Sequence, residues 1–202
     1  MVENLISMLI FVGPSGVGKS TLANEFLRTF PSKFSFSISH TTRSLRGNEV
    51  DGKHYYFITK EQMKEKIENN EMLEFDEVHS NFYGTSKSEI ERITKNGQIS
   101  IMDVSIKGAI NLKKSDFKSF SIFLLPPSFE ELERRLRGRR TESDEKINER
   151  LENAKKEIEF SEKNPQHFDQ ILVNDDLKIS YKKLKEILLE KFGKQFNFFE
   201  KN

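Results

Sequence analysis

Gly13-Pro14-Ser15-Gly16-Val17-Gly18-Lys19-Ser20 stands directly after the apolar run Met8 to Val12 and directly before a segment of helical pattern. The spacing is G-x-x-x-x-G-K-S, and strand, loop and helix in that order are the context the motif requires. Glycines let successive backbone N–H groups curl around phosphate oxygens, and the helix that follows adds the positive end of its dipole. In such a loop Lys19 reaches the β and γ phosphates of a nucleotide, and the Ser20 hydroxyl is an oxygen ligand for Mg²⁺. A chance glycine turn capping a helix is the bland alternative, and the flanking strand and helix weigh against it.

Outward from the loop, short apolar runs alternate with longer charged segments. Ser7 to Val12, Phe34 to Ile38, Ile99 to Val104, Phe120 to Leu125 and Gln170 to Val173 have the character of strands covered on both faces. The stretches between them are helical in pattern, two opened by capping boxes: Ser86 with Glu89, and Ser128 with Glu131 just after Pro126-Pro127. Strand alternating with helix predicts an α/β fold on a parallel sheet. Asp103 falls at the end of one run, where the carboxyl edge of such a sheet opens on a ligand crevice. It is either an acid that holds Mg²⁺ or its waters, or a cap for the next helix near Lys107.

Two segments break the alternation. From about Ser39 to Ser86 the pieces are shorter and partly alternating (His54 to Thr59, then Met72 to Val78), with Gly47, Gly52 and Gly84 at turns, which predicts an inserted β-rich unit. From Arg134 to Arg150 an Arg-rich turn joins two helical patterns with few apolar residues to pin it, as in a movable lid. Leu177, Leu184, Ile187, Leu188 and Phe192 are spaced for a closing helix. The aromatics of Phe196-Asn197-Phe198-Phe199 either dock on the body or meet another chain.

The chain has 202 residues, 35% apolar and 32% charged, the size and balance of one globular core. Its 33 basic and 32 acidic residues leave a formal charge of +1, so no global field draws it to nucleic acid or a membrane surface, and any anion site is local. The absence of cysteine excludes a disulfide framework, a thiol nucleophile and a thiolate metal site. The longest apolar stretch is far short of the ~20 residues a membrane helix needs. With Glu3 near its start and no signal-peptide pattern, the chain is expected to be cytoplasmic.

A site for a nucleoside triphosphate calls for an acceptor. Ser39-His40-Thr41-Thr42-Arg43-Ser44-Leu45-Arg46 puts two guanidinium groups three residues apart beside hydroxyls, and Tyr55 and Tyr83 add phenols in the same inserted region. Arginine forks and tyrosine hydroxyls together suit a dianionic phosphate. A solvated basic turn is the alternative for the two arginines.

Taken together, Gly13 to Ser20, Ser39-x-Thr41-Thr42-Arg43-x-x-Arg46 with Glu49, Gly52-Lys53-x-Tyr55, Tyr83-Gly84-Thr85 and Val173-Asn174-Asp175-Asp176-Leu177 resemble the guanylate kinase family, from about Met8 to Leu189. The ordered set separates that family from adenylate, thymidylate and shikimate kinases. The resemblance implies an α/β P-loop three-layer core with a parallel sheet, an inserted small β-rich GMP-binding domain and a helical lid. Core would comprise residues 1–38, 89–133 and 151–202 with the C-terminal helix, the insertion 39–88 and the lid 134–150. The implied reaction is reversible transfer of the γ-phosphoryl group of MgATP to GMP, and to dGMP, with ADP as the second product. Matched position by position, Ser15, Gly16, Val17, Gly18, Lys19, Ser20, Thr21, Arg135 and Asn174 would bind ATP. Ser39, Arg43, Arg46, Tyr55, Glu74, Tyr83, Thr85 and Asp103 would bind GMP. Lys19, Arg46, Arg139 and Arg150 would act on the transferring group, and Ser20 and Asp103 would hold Mg²⁺. Expected partners are thus ATP and GMP, with no nucleic acid and no membrane, in a monomer or weak homodimer.

Guanine offers adjacent donors at N1 and N2 where adenine has an acceptor at N1, so a carboxylate at Glu74 would tell them apart. Without the resemblance Glu74 reads as a solvent-facing strand acid. Arg134, Arg137 and Arg140 are extra basic neighbours, and flanking Glu130, Glu131, Glu133, Glu142, Asp144 and Glu145 argue against a nucleic-acid surface. The family pattern carries a second acid two positions after Asp103 and a glutamine two further on; here these are Ser105 and Lys107. The missing carboxylate is expected to weaken GMP binding, and a lower GMP KM in Ser105→Asp is the sign that it does. Two alternatives stay open: a catalytically weak guanylate-kinase-like module that binds proteins, and a nucleoside monophosphate kinase with another base preference.

Overall fold

The computed structural model describes residues 5–78, 80–138 and 143–201. Its strands are β1 (Met8–Val12), β2 (Phe34–Phe36), β3 (His40–Thr41), β4 (Tyr56–Phe57), β5 (Met72–Val78), β6 (Asn81–Ser86), β7 (Ile99–Asp103), β8 (Ser119–Leu125) and β9 (Gln170–Val173). Its helices are α1 (Lys19–Thr29), α2 (Lys60–Glu68), α3 (Lys87–Lys95), α4 (Ile106–Leu112), α5 (Phe129–Gly138), α6 (Asp144–Lys163) and α7 (Leu177–Phe192), with 3-10 turns at Pro165–His167 and Gly193–Lys201.

Five strands form a parallel sheet in the order β2-β7-β1-β8-β9. Every residue of β1 is buried, as befits a central strand covered on both faces. Leu9 and Phe11 join one core with Leu22 and Phe26 of α1, Leu132 of α5, Leu151 of α6 and Leu184 of α7. Met8, Ile10 and Val12 join the other with Ile90 of α3, Ala109 and Leu112 of α4, and Phe123. The chain leaves β1 toward β2 on one side and returns after β7 to reach β8 on the other, so the carboxyl end of β1 is the switch point where α/β sheets bind ligands.

Residues 40–86 build a second sheet, β4-β3-β6-β5, in which β3 and β5 run antiparallel to β6 and β4 parallel to β3. The sequence suggests extended structure over His54 to Thr59, but only Tyr56 and Phe57 form a strand, because the Asp51 carboxylate takes the Phe57 amide and the segment before it turns. Glu89 ties this sheet to the core. It accepts the Ile38 amide at 2.9 Å, the Tyr56 hydroxyl at 3.1 Å and both arms of Arg92. Burial alone would raise its carboxyl, and these donors, Arg92 first, bring it below its ordinary value.

Ser86 and Ser128 do accept the amides of Glu89 and Glu131. The reciprocal halves of both boxes are missing, since Glu89 is engaged as above and Glu131 holds Arg134 and Arg135. A complete box, with both reciprocal bonds, joins Thr59 and Gln62 at the start of α2.

The aromatic tail docks on the body. Gln195 binds both the amide and the carbonyl of Ile6 like a strand partner, at 2.8 and 2.7 Å. Phe196 and Phe199 are buried against Phe26, Phe30 and Phe34, with Phe30 and Phe199 centroids 5.0 Å apart. Phe196→Ala is expected to lower unfolding stability by about 3–5 kcal/mol. Urea unfolding measures it, and a loss below ~1 kcal/mol would mean that the tail is not part of the core.

Candidate active site

The loop after β1 closes as its glycines require. Gly13 and Gly18 have φ of +135° and +104°, and a Cβ would lie 2.5 Å from the Leu124 carbonyl oxygen at the first and 2.4 Å from the Asn174 amide nitrogen at the second. Lys19 folds back over the loop: its Nζ donates to the Gly13 carbonyl at 2.6 Å and the Pro14 carbonyl at 3.3 Å, and stands 3.7 Å from Asp103 Oδ1. Ser20 and Thr21 follow on the exposed first turn of α1. The Val17 amide donates to Pro14, and its carbonyl receives Asn174 Nδ2 at 2.8 Å. Asn174 Oδ1 is buried with no hydrogen-bond partner among the described residues.

Two arginines, one on α5 and one on α6, reach this loop. Arg135, steadied by Glu131, donates to the Asn174 carbonyl at 2.9 Å and the Asp175 carbonyl at 3.0 Å, which fixes it between the loop and the β9 end. Arg150 donates to Ser15 Oγ at 2.8 Å. Arg134 pairs with Glu131, and Arg137 with Glu133 and Asp144, so these charges are balanced locally as on an ordinary solvated helix. Arg139 and Arg140 lie outside the described residues.

Asp103 is not a helix cap; Ser105 caps α4, accepting the Gly108 amide at 3.1 Å. A third of the Asp103 side chain is exposed to the crevice. Its walls still desolvate the carboxyl enough to push it up, against the pull of Lys19. From Asp103 a cavity of about 220 Å³ leads toward the second sheet, lined by Ser39, Tyr55, Glu74, Tyr83 and others.

Glu74 is buried there rather than solvent-facing, with 7% of its surface exposed. It accepts a hydrogen bond from Thr85 Oγ1 at 2.8 Å, across the register pair that joins β5 to β6. Burial pushes its carboxyl up; the Thr85 bonds oppose this and Asp76 adds to it. Arg43 is clamped by both oxygens of Glu49 and covers the Tyr55 ring, 5.1 Å from its centroid. That bond holds Glu49 down to about 2 and raises Arg43. Tyr55 and Tyr83 meet edge to face at 6.1 Å. The Arg46 guanidinium is held by no hydrogen bond among the described residues and is exposed.

The sheets thus bring Lys19, Asp103, Asn174, Arg135 and Arg150 around the loop and gather Ser39, Tyr55, Glu74, Tyr83 and Thr85 in the second region. Two further acids went unread in the sequence. Asp76 lines the cavity beside Glu74. Glu157 on α6 has a buried Oε2 without a partner among the described residues. Burial pushes its carboxyl up, Lys19 draws it down and Asp103 adds to the rise. Glu157 lies seven residues beyond Arg150 and three beyond the buried Ala154, so helical periodicity was the available signal.

Over residues 6–191 the chain matches the family model described as guanylate kinase. It is 47% identical over 180 residues to guanylate kinase 1 of Oryza sativa subsp. japonica, covering 89% of this chain and 47% of that protein. The chain therefore spans about half the length of that plant relative. To guanylate kinase of Schizosaccharomyces pombe it is 43% identical over 189 residues, covering 94% of this chain and 93% of that one. The crystal structure of guanylate kinase from Anaplasma phagocytophilum is similar with a TM-score of 0.69 at 29% identity, covering 96% of this chain and 89% of the other.

Proposed function

Because the chain belongs to the guanylate kinase family, we propose that it transfers the γ-phosphoryl group of ATP to GMP, giving ADP and GDP. The observation that carries this reading is one continuous path. Lys19 in the phosphate loop faces Asp103, and Asp103 lines the cavity that ends at buried Glu74.

In this reading residues 39–88 are the GMP-binding insertion and 134–150 the lid, with Arg139 completing the cationic set. The triphosphate lies on the amides of Gly16 to Thr21, with Lys19 bridging β and γ oxygens. Asn174 Oδ1, a buried acceptor without a donor among the described residues, suits the amino group of adenine. Glu74 receives N1–H and N2–H of guanine, Ser39 and Thr85 add hydroxyls, and Arg43, Arg46, Tyr55 and Tyr83 take the GMP phosphate. An oxygen of that phosphate attacks the γ phosphorus as the bond to the β-bridging oxygen breaks, and ADP leaves with the electron pair. No general base is needed, because the attacking oxygen is already anionic.

Ser20 and Asp103 offer the hydroxyl and carboxylate oxygens that suit Mg²⁺, whose charge, when bound with the nucleotide, would offset that gathering on the phosphates. Arg46 and Arg150 supply positive charge to the same end, and closure of the lid excludes water that would hydrolyse ATP. Among the described residues no helix is long and apolar enough to cross a membrane.

The test is ADP release from MgATP with GMP, dGMP, AMP, CMP, UMP or no acceptor. Turnover confined to guanine acceptors is expected. Release with none of them, in folded protein, would favour the protein-binding module, and release with another base would move the site to a different kinase.

A further inference from the structure

We propose that Asp76 is a specificity-determining residue for the acceptor base: its carboxylate receives the second proton of the guanine 2-amino group. This inference rests on the reading of the pocket as a GMP site.

Glu74 and Asp76 are two apart on β5 and therefore share a face of the strand. Their partners across the sheet are Thr85 and Tyr83, and both acids line the same cavity as Ser39, Asp103 and Ser105. Guanine presents three protons on one edge, one at N1 and two at N2. A single carboxylate at Glu74 takes N1–H and the near N2–H, which leaves the far N2–H in need of an acceptor.

The bonding of Asp76 leaves that capacity. Oδ1 accepts from Lys107 Nζ at 3.2 Å and from the Glu77 amide at 3.0 Å, whereas among the described residues Oδ2 accepts only the Ser105 hydroxyl, at 3.3 Å. The Ser105 hydroxyl is itself fixed, because it caps α4 through Gly108. The departures at 105 and 107 thereby explain one another. A hydroxyl and an ammonium are donors that support a carboxylate at 76, and an acid at 105 would instead set two negative charges side by side. The chain holds its second acid on β5 rather than after β7. The expectation that Ser105→Asp alone improves GMP binding is replaced by its opposite.

Steady-state kinetics with GMP and with inosine monophosphate, which lacks only the 2-amino group, separate the possibilities. Asp76→Ala is expected to raise the GMP KM about 10- to 100-fold, the range for a hydrogen bond to a charged group. The KM for inosine monophosphate should change less than about twofold, which also shows the variant to be folded and active. Ser105→Asp should raise the GMP KM, and Asp76→Ala combined with Ser105→Asp should recover most of the loss. Equal losses with both acceptors would reduce Asp76 to a support for Lys107 and Ser105, and unchanged kinetics would remove it from the site; either overturns the proposal. Absence of turnover with GMP in the unsubstituted protein would instead overturn the functional reading, and the inference with it.

Discussion

Lys19→Ala is expected to lower kcat with GMP by about 10³-fold or more while leaving the fold intact. The ammonium stands over the loop with two of its three protons on the Gly13 and Pro14 carbonyls and Asp103 at 3.7 Å. Its charge is thus held at the loop before any substrate arrives, and exchanging a carbonyl partner for a phosphate lets it bridge the β and γ oxygens as they gather electron density. Lys19→Arg should fail almost as badly, since a planar fork does not fit where a point charge was held by carbonyls. Steady-state kinetics with a thermal melt read the result. Near-normal kcat in either variant would mean that the loop is not the donor site.

The second large effect is on choice of base. Glu74→Gln is expected to cut kcat/KM for GMP by about 10²- to 10³-fold, because the amide turns a donor toward the guanine edge and leaves buried groups unpaired. The preference for GMP over AMP should shrink with it. The same carboxylate sets a pH dependence whose sign follows from its burial. Burial raises its folded pKa, so as pH falls it takes up a proton sooner than an ordinary glutamate and loses an acceptor for N1–H. GMP turnover efficiency therefore falls on the acid side earlier than an exposed glutamate would allow, and Glu74→Gln lacks that limb. Stability moves the other way: the folded state binds this proton more readily than the unfolded chain, so the Glu74 contribution becomes more favourable as pH falls through the folded value. An acid limb that persists unchanged in Glu74→Gln would assign it elsewhere, with the acceptor phosphate the first candidate.

What could be read along the chain was local or periodic. The phosphate loop is legible because its glycine spacing is a local pattern set by positive φ, although the contacts that forbid a Cβ there come from Leu124 and Asn174. Strand β1 is legible because burial on both faces leaves an uninterrupted apolar run, and the other core strands as shorter or interrupted ones. The helix caps were only half legible. A serine finds its amide three residues on, but Glu89 and Glu131 are claimed by partners distant in sequence or by arginines on the next turn. The second sheet was visible as a change of rhythm and not as pairings, since two-residue strands such as β3 and β4 have no period to detect. Glu74 and Asp76 illustrate the limit in the site itself. Both are acids on a strand of mixed pattern, and only the sheet shows that one is buried against Thr85 while the other answers Ser105 and Lys107. Glu157 is one glutamate among many on a charged helix, and only the fold shows that its Oε2 is buried and that its carboxyl feels the charges of Lys19 and Asp103.

The central claim is that a phosphoryl group passes directly from ATP on the loop to GMP against the second sheet. Incubation with ATP labelled in its γ phosphate and unlabelled GMP, followed by separation of the nucleotides, follows that group itself. The label is expected in GDP, in amounts equal to the ADP formed, with little in inorganic phosphate. Label released as inorganic phosphate, or retained in ATP whether or not GMP is present, would contradict it.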